Sequence, residues 1–248
     1  MIKTTNISGF PSGIKRISRS DLRKAVMTIL LRDLSKVKCK RILEVGCGNW
    51  DFTKKILEKN NCEWFGVEPV DMGNQNLTLV KGSVKNIPYH DESFDIVLCN
   101  QTMEHWFEYN VSLKKALSEI HRVLKPGGIL MINSPIHLHG DPRFLSGELG
   151  KIKSAFKKKL WKIVLFEKCF PPKKIQGWKR ISSRGFFSKI GYPDFMIPNP
   201  KEASNYVINI HARKKVTGRK KQRLKLPSRD LIVLFRFIKT YIKTRFFF

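Results

Sequence analysis

The stretch Arg41-Ile42-Leu43-Glu44-Val45-Gly46-Cys47-Gly48-Asn49 decides the fold. Its first half is short, apolar and closed by glycine, which predicts a buried strand over 42–45. The two glycines then give the main chain the freedom for a sharp turn into a helix predicted over 52–59. At such a turn the backbone can approach a nucleotide closely. NAD or FAD fits poorly, because a G-x-G-x-x-G fingerprint would need glycine where Asp51 stands. Glu44, an acid just ahead of the glycines, favours a ligand that carries a cation.

Outward from this turn, strands and helices alternate. Strands are predicted at 64–67, 77–80, 94–99 and 129–133, with a helix over 112–124 that stops at Lys125-Pro126-Gly127-Gly128. The runs Ile96-Val97-Leu98 and Ile129-Leu130-Met131-Ile132 are apolar without alternation, as in strands covered on both faces. The fold class is therefore α/β: a doubly wound, mostly parallel Rossmann-like sheet with helices on both faces, plus basic helical flanks. Residues 21–34 read as an amphipathic helix after Ser20-Asp21. Residues 137–180 are basic and irregular, with a helix expected over 151–166 and a break at Pro171-Pro172. Residues 206–212 alternate and predict a late, antiparallel strand. The expected domains are a basic N-terminal helical flank (1–40), a catalytic domain (41–214; core 41–135, acceptor-side insertion about 137–180), and a basic linker with an amphipathic C-terminal helix (215–248).

Several ordered segments resemble the class I S-adenosylmethionine-dependent methyltransferases of the small-molecule type. Residues 41–48 resemble the family's first motif, and Glu68 follows Phe65-Gly66-Val67 about 20 residues on, where an acid can accept both ribose hydroxyls. Gly82-Ser83-Val84, with Ile87-Pro88-Tyr89 and Ser93-Phe94-Asp95-Ile96-Val97, is similar to the adenine-side segment. Asn100-Gln101-Thr102-Met103-Glu104-His105 is placed like the loop over the donor, and 119–128 resembles the hallmark helix and turn. Trp50 stands in place of a third glycine, and Ser83 in place of an adenine-facing acid.

The resemblance implies S-adenosyl-L-methionine as cofactor, with Glu44, Gly46, Cys47, Gly48, Glu68, Ser83, Val84 and Asn100 around it. Glu44 would organise the methionine amino group. Other readings stand beside these roles: Glu44 as a buried acid satisfied by amides, Glu68 as a helix cap, Cys47 and Cys99 as packing residues, His105 and His121 as structural. His137-Leu138-His139-Gly140-Asp141 has the spacing of a metal site but lacks a convincing fourth ligand. Acceptor contact with His137 or His139 as general base, or a plain polar loop, are its other readings. The sulfonium makes the methyl group an electrophile, so transfer needs positioning above all, and a hydroxyl acceptor also needs a base.

Charge separates the catalytic core from its flanks. The chain has 248 residues and a net charge of +28, from 48 Lys/Arg against 20 Asp/Glu. Residues 1–41 carry 11 basic against 2 acidic groups, 42–148 carry 10 against 14, and 149–248 carry 27 against 4. Such flanks suit an anionic membrane surface or nucleic acid. On a helix over 228–248, Arg236, Lys239 and Lys243 gather opposite Leu234, Phe235, Ile238 and Ile242, the pattern of an in-plane membrane anchor. The lysine runs 157–159 and 173–174 and the run 219–221 would add attraction. An RNA partner is less favoured, because the aromatics join aliphatic groups and form no separate stacking platform. The expected acceptor is a small molecule, a lipid-linked intermediate or a glycan; an RNA methyltransferase and a non-catalytic donor-binding scaffold are the alternatives. Five cysteines without a C-x-x-C and the lack of a recognisable secretory signal predict a reduced, cytoplasmic setting, at the inner face of a membrane if the tail binds one.

Overall fold

The computed structural model describes residues 2–6, 21–48, 51–70, 78–137, 140–170 and 206–216. Residues Met1–Lys215 form one compact unit, and a second begins at Val216. The amphipathic helix expected over 228–248 lies outside the described residues, as do Trp50 and His139.

In chain order the elements are β1 (Lys3–Asn6), α1 (Asp21–Leu34), β2 (Arg41–Val45), α2 (Phe52–Lys59), β3 (Glu63–Glu68), β4 (Leu79–Lys81) and β5 (Phe94–Asn100). A 3-10 helix (Met103–Tyr109) precedes α3 (Leu113–Val123) and β6 (Leu124–Ile136), followed by α4 (Pro142–Leu145), α5 (Leu149–Ser154), β7 (Trp161–Phe170) and β8 (Tyr206–Lys214). The strands form one sheet in the order β1-β7-β8-β6-β5-β2-β3-β4. All neighbours are parallel except β8, which runs antiparallel to both β6 and β7. The mostly parallel α/β sheet read from the sequence is the one observed.

Period-two alternation sorts the central strands onto two cores. Leu43, Val45, Val97 and Cys99 face α3, where Leu117, Ile120 and Val123 are buried. Ile42, Ile96 and Leu98 face α1 and α2, among Ala25, Ile29, Leu34 and Leu57. Ser112 caps α3, its Oγ accepting from the Lys115 backbone N–H at 3.2 Å. Each large apolar side chain buried in these layers stabilises the fold by about 1.5–3 kcal/mol.

Two expectations are corrected. Residues 151–166 do not form one helix: α5 ends at Ser154, and Trp161–Phe170 pairs with β8 along its length. Ile163-Val164-Leu165 is a β-branched and aliphatic run that gains ladder hydrogen bonds in the sheet, which outweigh a weak helical period. The N-terminal segment is likewise no separate flank. β1 extends the sheet beside β7, and α1 packs on the core.

Polar contacts fasten α1 to the sheet. Arg32 bonds the fully buried Glu167 of β7 through both terminal nitrogens, at 3.2 and 2.8 Å. Asp33 accepts from Asn209 at 2.8 Å and lies 3.0 Å from the His211 Nε2, both on β8. Burial pushes the Asp33 carboxyl up, yet the bonds from His211, Arg32 and Asn209 prevail and hold it at about 2. This contribution is present above the ordinary aspartate range and is lost only as pH falls through about 2. Among the described residues, no helix is long and apolar enough to cross a membrane.

Candidate functional site

The parallel strands β2, β3 and β5 end at one edge of the sheet, and the segments leaving them enclose a cavity of about 140 Å³. Its lining includes Val45 and Gly46 after β2, Glu68 and Pro69 after β3, Ser83 and Val84 after β4, and Thr102, His105, Trp106 and Tyr109 after β5. This carboxyl edge is where open α/β sheets bind ligands.

Gly46 sits at φ +72, where a side chain is strained, and a Cβ there would lie 2.5 Å from the Thr102 Cγ2. Its N–H donates to the Val67 carbonyl at 2.7 Å, which closes the turn against β3. Glu68 lies across from it. Its Oε2 accepts from the Gly48 backbone N–H at 2.9 Å and its Oε1 from that of Val70 at 3.3 Å. Each oxygen keeps capacity for a further donor. Ser83 lines the same wall, its Oγ accepting from the Lys85 N–H at 3.2 Å.

Three predicted donor contacts lie elsewhere. Glu44 shares the Ile42 face of β2, turned toward α2; it is 1% exposed, and its Oε2 accepts from the Trp64 Nε1 at 2.9 Å. Burial pushes its carboxyl up to about 7, against the opposing pull of that indole bond. It acts as a buried acid rather than a wall of the cleft. Asn100 shares the Ile96 and Leu98 face of β5 and meets a small space under α1, beside Asp33, Asn209 and His211. The Cys47 side chain packs under Gly66, and burial, then the charges of Glu44 and Glu68, push its thiol up to about 12. Only its backbone belongs to the glycine turn.

His137 is also turned away from the cleft. It sits at φ +62, with Nδ1 2.9 Å from the Leu145 carbonyl and its ring edge-on to Tyr206 at 5.7 Å. Asp141, the acid of the H-x-H-x-D spacing, caps α4 and pairs with Arg143. That engagement speaks for a structural loop at His137 and Asp141.

Among the described histidines, the one that lines the cleft is His105. Its Nδ1 is 2.9 Å from the Glu108 Oε1, and its Nε2 is 3.9 Å from the Glu104 Oε1. Burial lowers its pKa, but the Glu108 bond and the Glu104 and Glu108 charges outweigh it and leave the imidazole above its ordinary 6.5. Glu104 is fully buried, and its Oε2 accepts from the Ser134 hydroxyl at 2.7 Å. A Cβ at Gly140 would come within 2.6 Å of the Glu104 carbonyl, so glycine lets the following loop close on this acid. Tyr109 completes the wall; burial, then the charges of Glu68 and Glu108, raise its phenol. One carboxylate, Glu68, thus lines the cleft, with Glu104 and Glu108 standing behind His105. The sequence signal for His105 was its flanking acids, Glu104 and Glu108, on one turn.

A glycine turn, an acid at the end of the neighbouring strand and a cleft over the carboxyl edge define the class I S-adenosylmethionine-dependent methyltransferase domain. Residues 43–132, just over a third of the chain, match the family described as methyltransferase domain, a class whose cofactor is S-adenosylmethionine. A methyltransferase-like protein of Schizosaccharomyces pombe is 40% identical over 96 residues, covering 36% of each chain. The demethylmenaquinone methyltransferase of Staphylococcus epidermidis is 28% identical over 138 residues, covering 51% of this chain and 56% of that one. The chain thus spans roughly a third to a half of the length of these curated relatives. Two solved structures share the fold. An S-adenosylmethionine-dependent methyltransferase from Mesorhizobium loti (TM-score 0.50, 15% identity) covers 77% of this chain and 99% of its own. The [4+2]-cyclase SpnF (TM-score 0.51, 17% identity) covers 82% of this chain and 86% of its own.

The residues present fit the cofactor. Glu68 retains acceptor capacity beside the cleft, and among the described residues no atom beyond Gly48 and its chain neighbours lies within 4 Å of where a Gly48 Cβ would stand. Glu68 would take the ribose hydroxyls, Gly46 and Gly48 would border the amino acid end, and Ser83 and Val84 would border the base. When bound, the cofactor supplies an electrophilic methyl group.

Proposed function

We propose that the chain is an S-adenosylmethionine-dependent methyltransferase acting on a small-molecule, lipid-linked or glycan acceptor, at the cytoplasmic face of a membrane. The observation that carries the reading is the placement of Glu68. Its carboxylate bridges to the glycine turn at 2.9 Å while lining the cleft that His105 and Tyr109 also line. Fold alone would not support the reading, since one fold hosts different chemistries and SpnF is a cyclase. The demethylmenaquinone methyltransferase among the relatives supports a small organic acceptor over a nucleic acid.

The chain's own groups divide the work. The glycine turn and Glu68 hold the donor in line with the acceptor, which is the main requirement of methyl transfer. For a hydroxyl acceptor, His105 accepts the proton, and Glu108 holds the ring through Nδ1. His105 takes this role in place of His137, which packs against Tyr206. Residues 228–248, whose sequence would set cations opposite large apolar groups on a helix, would place the catalyst at the membrane. The test is incubation with methyl-labelled donor and separated membrane, RNA and soluble extracts. Label in a lipid, glycan or small-molecule product, lost in Glu68→Ala, is the expected result. Label confined to RNA would contradict the reading.

A further inference from the structure

One corner of the folded unit gathers cations that the fold itself does not use. Lys157, Lys158 and Lys159 form the turn into β7, where the Lys157 carbonyl accepts from the N–H groups of Leu160 and Trp161, each at 2.9 Å. The Lys215 N–H donates to the Leu160 carbonyl at 2.8 Å, which brings the end of β8 against this turn. One step along, Lys162 stands directly opposite Arg213 in the antiparallel ladder. All six side chains are exposed, and among the described residues none of them makes an ion pair.

Like charges directly opposite in an antiparallel pair destabilise a sheet. The Lys162 and Arg213 pair therefore works against the free fold, as does the triple lysine turn beside it. The single acid in residues 149–170, Glu167, is fully buried and committed to Arg32. An anionic partner would remove the repulsion. The aromatic groups at this end, Phe156, Trp161 and Phe166, are buried at 3, 3 and 4% exposure, so none can stack on a base. The exposed apolar group on the strand is Val164, at 46%. Compact ammonium charges around a small apolar group suit a lipid headgroup surface better than the paired, directional contacts of nucleic acid.

We infer that the Lys157–Lys159, Lys162, Arg213 and Lys215 corner is a docking face for an anionic membrane surface. This rests on the membrane reading above and adds to it a contact on the folded domain, separate from residues 228–248. Arg213 lies opposite Ile129, which is level with Ile96 near the start of β5, whereas the cleft lies beyond the carboxyl ends of the strands. At about 3.3 Å per residue, the four steps from Ile129 to Asn133, which pairs with Asn100 at the end of β5, set Arg213 roughly 13 Å before the strand ends over which the cleft opens. Docking therefore leaves the cleft open, facing acceptors that are soluble or stand off from the bilayer.

The test uses full-length protein and two variants, Lys158→Gln/Lys159→Gln/Lys162→Gln at the corner and Arg236→Gln/Lys239→Gln/Lys243→Gln in the tail. Co-sedimentation is measured with phosphatidylcholine vesicles, with and without phosphatidylserine, and binding to a single-stranded RNA oligonucleotide is measured in parallel. Binding to phosphatidylserine vesicles should fall about fivefold for each corner cation lost. Unchanged vesicle binding in the corner variant overturns the inference, whatever the tail variant does. A corner-dependent loss of RNA binding with vesicle binding intact overturns it in favour of a nucleic acid. The melting temperature of Lys162→Gln should hold or rise as the repulsion is relieved; a fall would show that the lysine serves the fold. Wild type that binds vesicles through the corner but does not bind S-adenosylmethionine would uphold the docking face and sink the methyltransferase reading.

Discussion

The two ends of the sheet carry opposite charge for different reasons. Around the cleft, the acids Glu68, Glu104 and Glu108 are held by specific partners: the Gly48 amide, the Ser134 hydroxyl and the His105 ring. At the Lys162 corner the cations face one another with no described counter-ion. The acids at the cleft end each have a fixed partner, and the basic end is an open surface without one. Structural charge is a third kind, seen where Arg32 reaches the buried Glu167. Each kind responds differently to removal.

The largest effect is expected at that structural pair. Arg32→Met withdraws the guanidinium from a fully buried carboxylate and should cost about 3–5 kcal/mol in chemical denaturation. By contrast, Lys162→Gln should leave stability unchanged or higher. Equal losses in the two variants would erase the distinction between structural and surface cations.

Glu44 gives the next effect, with the opposite sign. Its folded pKa of about 7 exceeds the ordinary 4.5, so the folded state holds a proton that the unfolded state has released between those values. Stability from this group is therefore full below about pH 4.5 and declines as pH rises toward 7, by about 3 kcal/mol in all. Glu44→Gln keeps an acceptor for the Trp64 indole and should flatten that slope. A denaturation profile in which the variant and wild type fall in parallel would remove Glu44 from the account.

A smaller effect is expected at Glu108. Methyl transfer to a hydroxyl acceptor should rise with pH as His105 loses its proton, with a midpoint above 6.5. Glu108→Gln withdraws the charge that raises this pKa and should move the midpoint lower by up to about one unit. An unmoved midpoint would assign the rate to another group.

Much of the fold was legible in the sequence because its central strands are apolar without alternation, and because the glycine turn after Val45 admits few alternatives. β8 showed itself through the alternation of residues 206–212. β7 did not, since Ile163-Val164-Leu165 between lysines fits a helical and an extended period about equally, and pairing with β8 settles the matter. In the site, Gly46, Glu68, Ser83 and Val84 follow from motif order. Glu44 and Asn100 were misplaced although the rule was at hand: period two puts them on the faces of Ile42 and Leu98, away from the cleft. From the sequence, His105 reads as structural and His137 or His139 as the candidate base, because only the fold shows the 3-10 helix that turns His105 into the cleft.

The most direct measurement of the central claim is a calorimetric titration of wild type and Glu68→Ala with S-adenosylmethionine. Saturable one-to-one binding by wild type, weakened about ten- to a hundredfold in a variant that still unfolds cooperatively, is the predicted result. No binding by wild type, or equal affinity in both, would contradict the assignment of the cleft to the methyl donor.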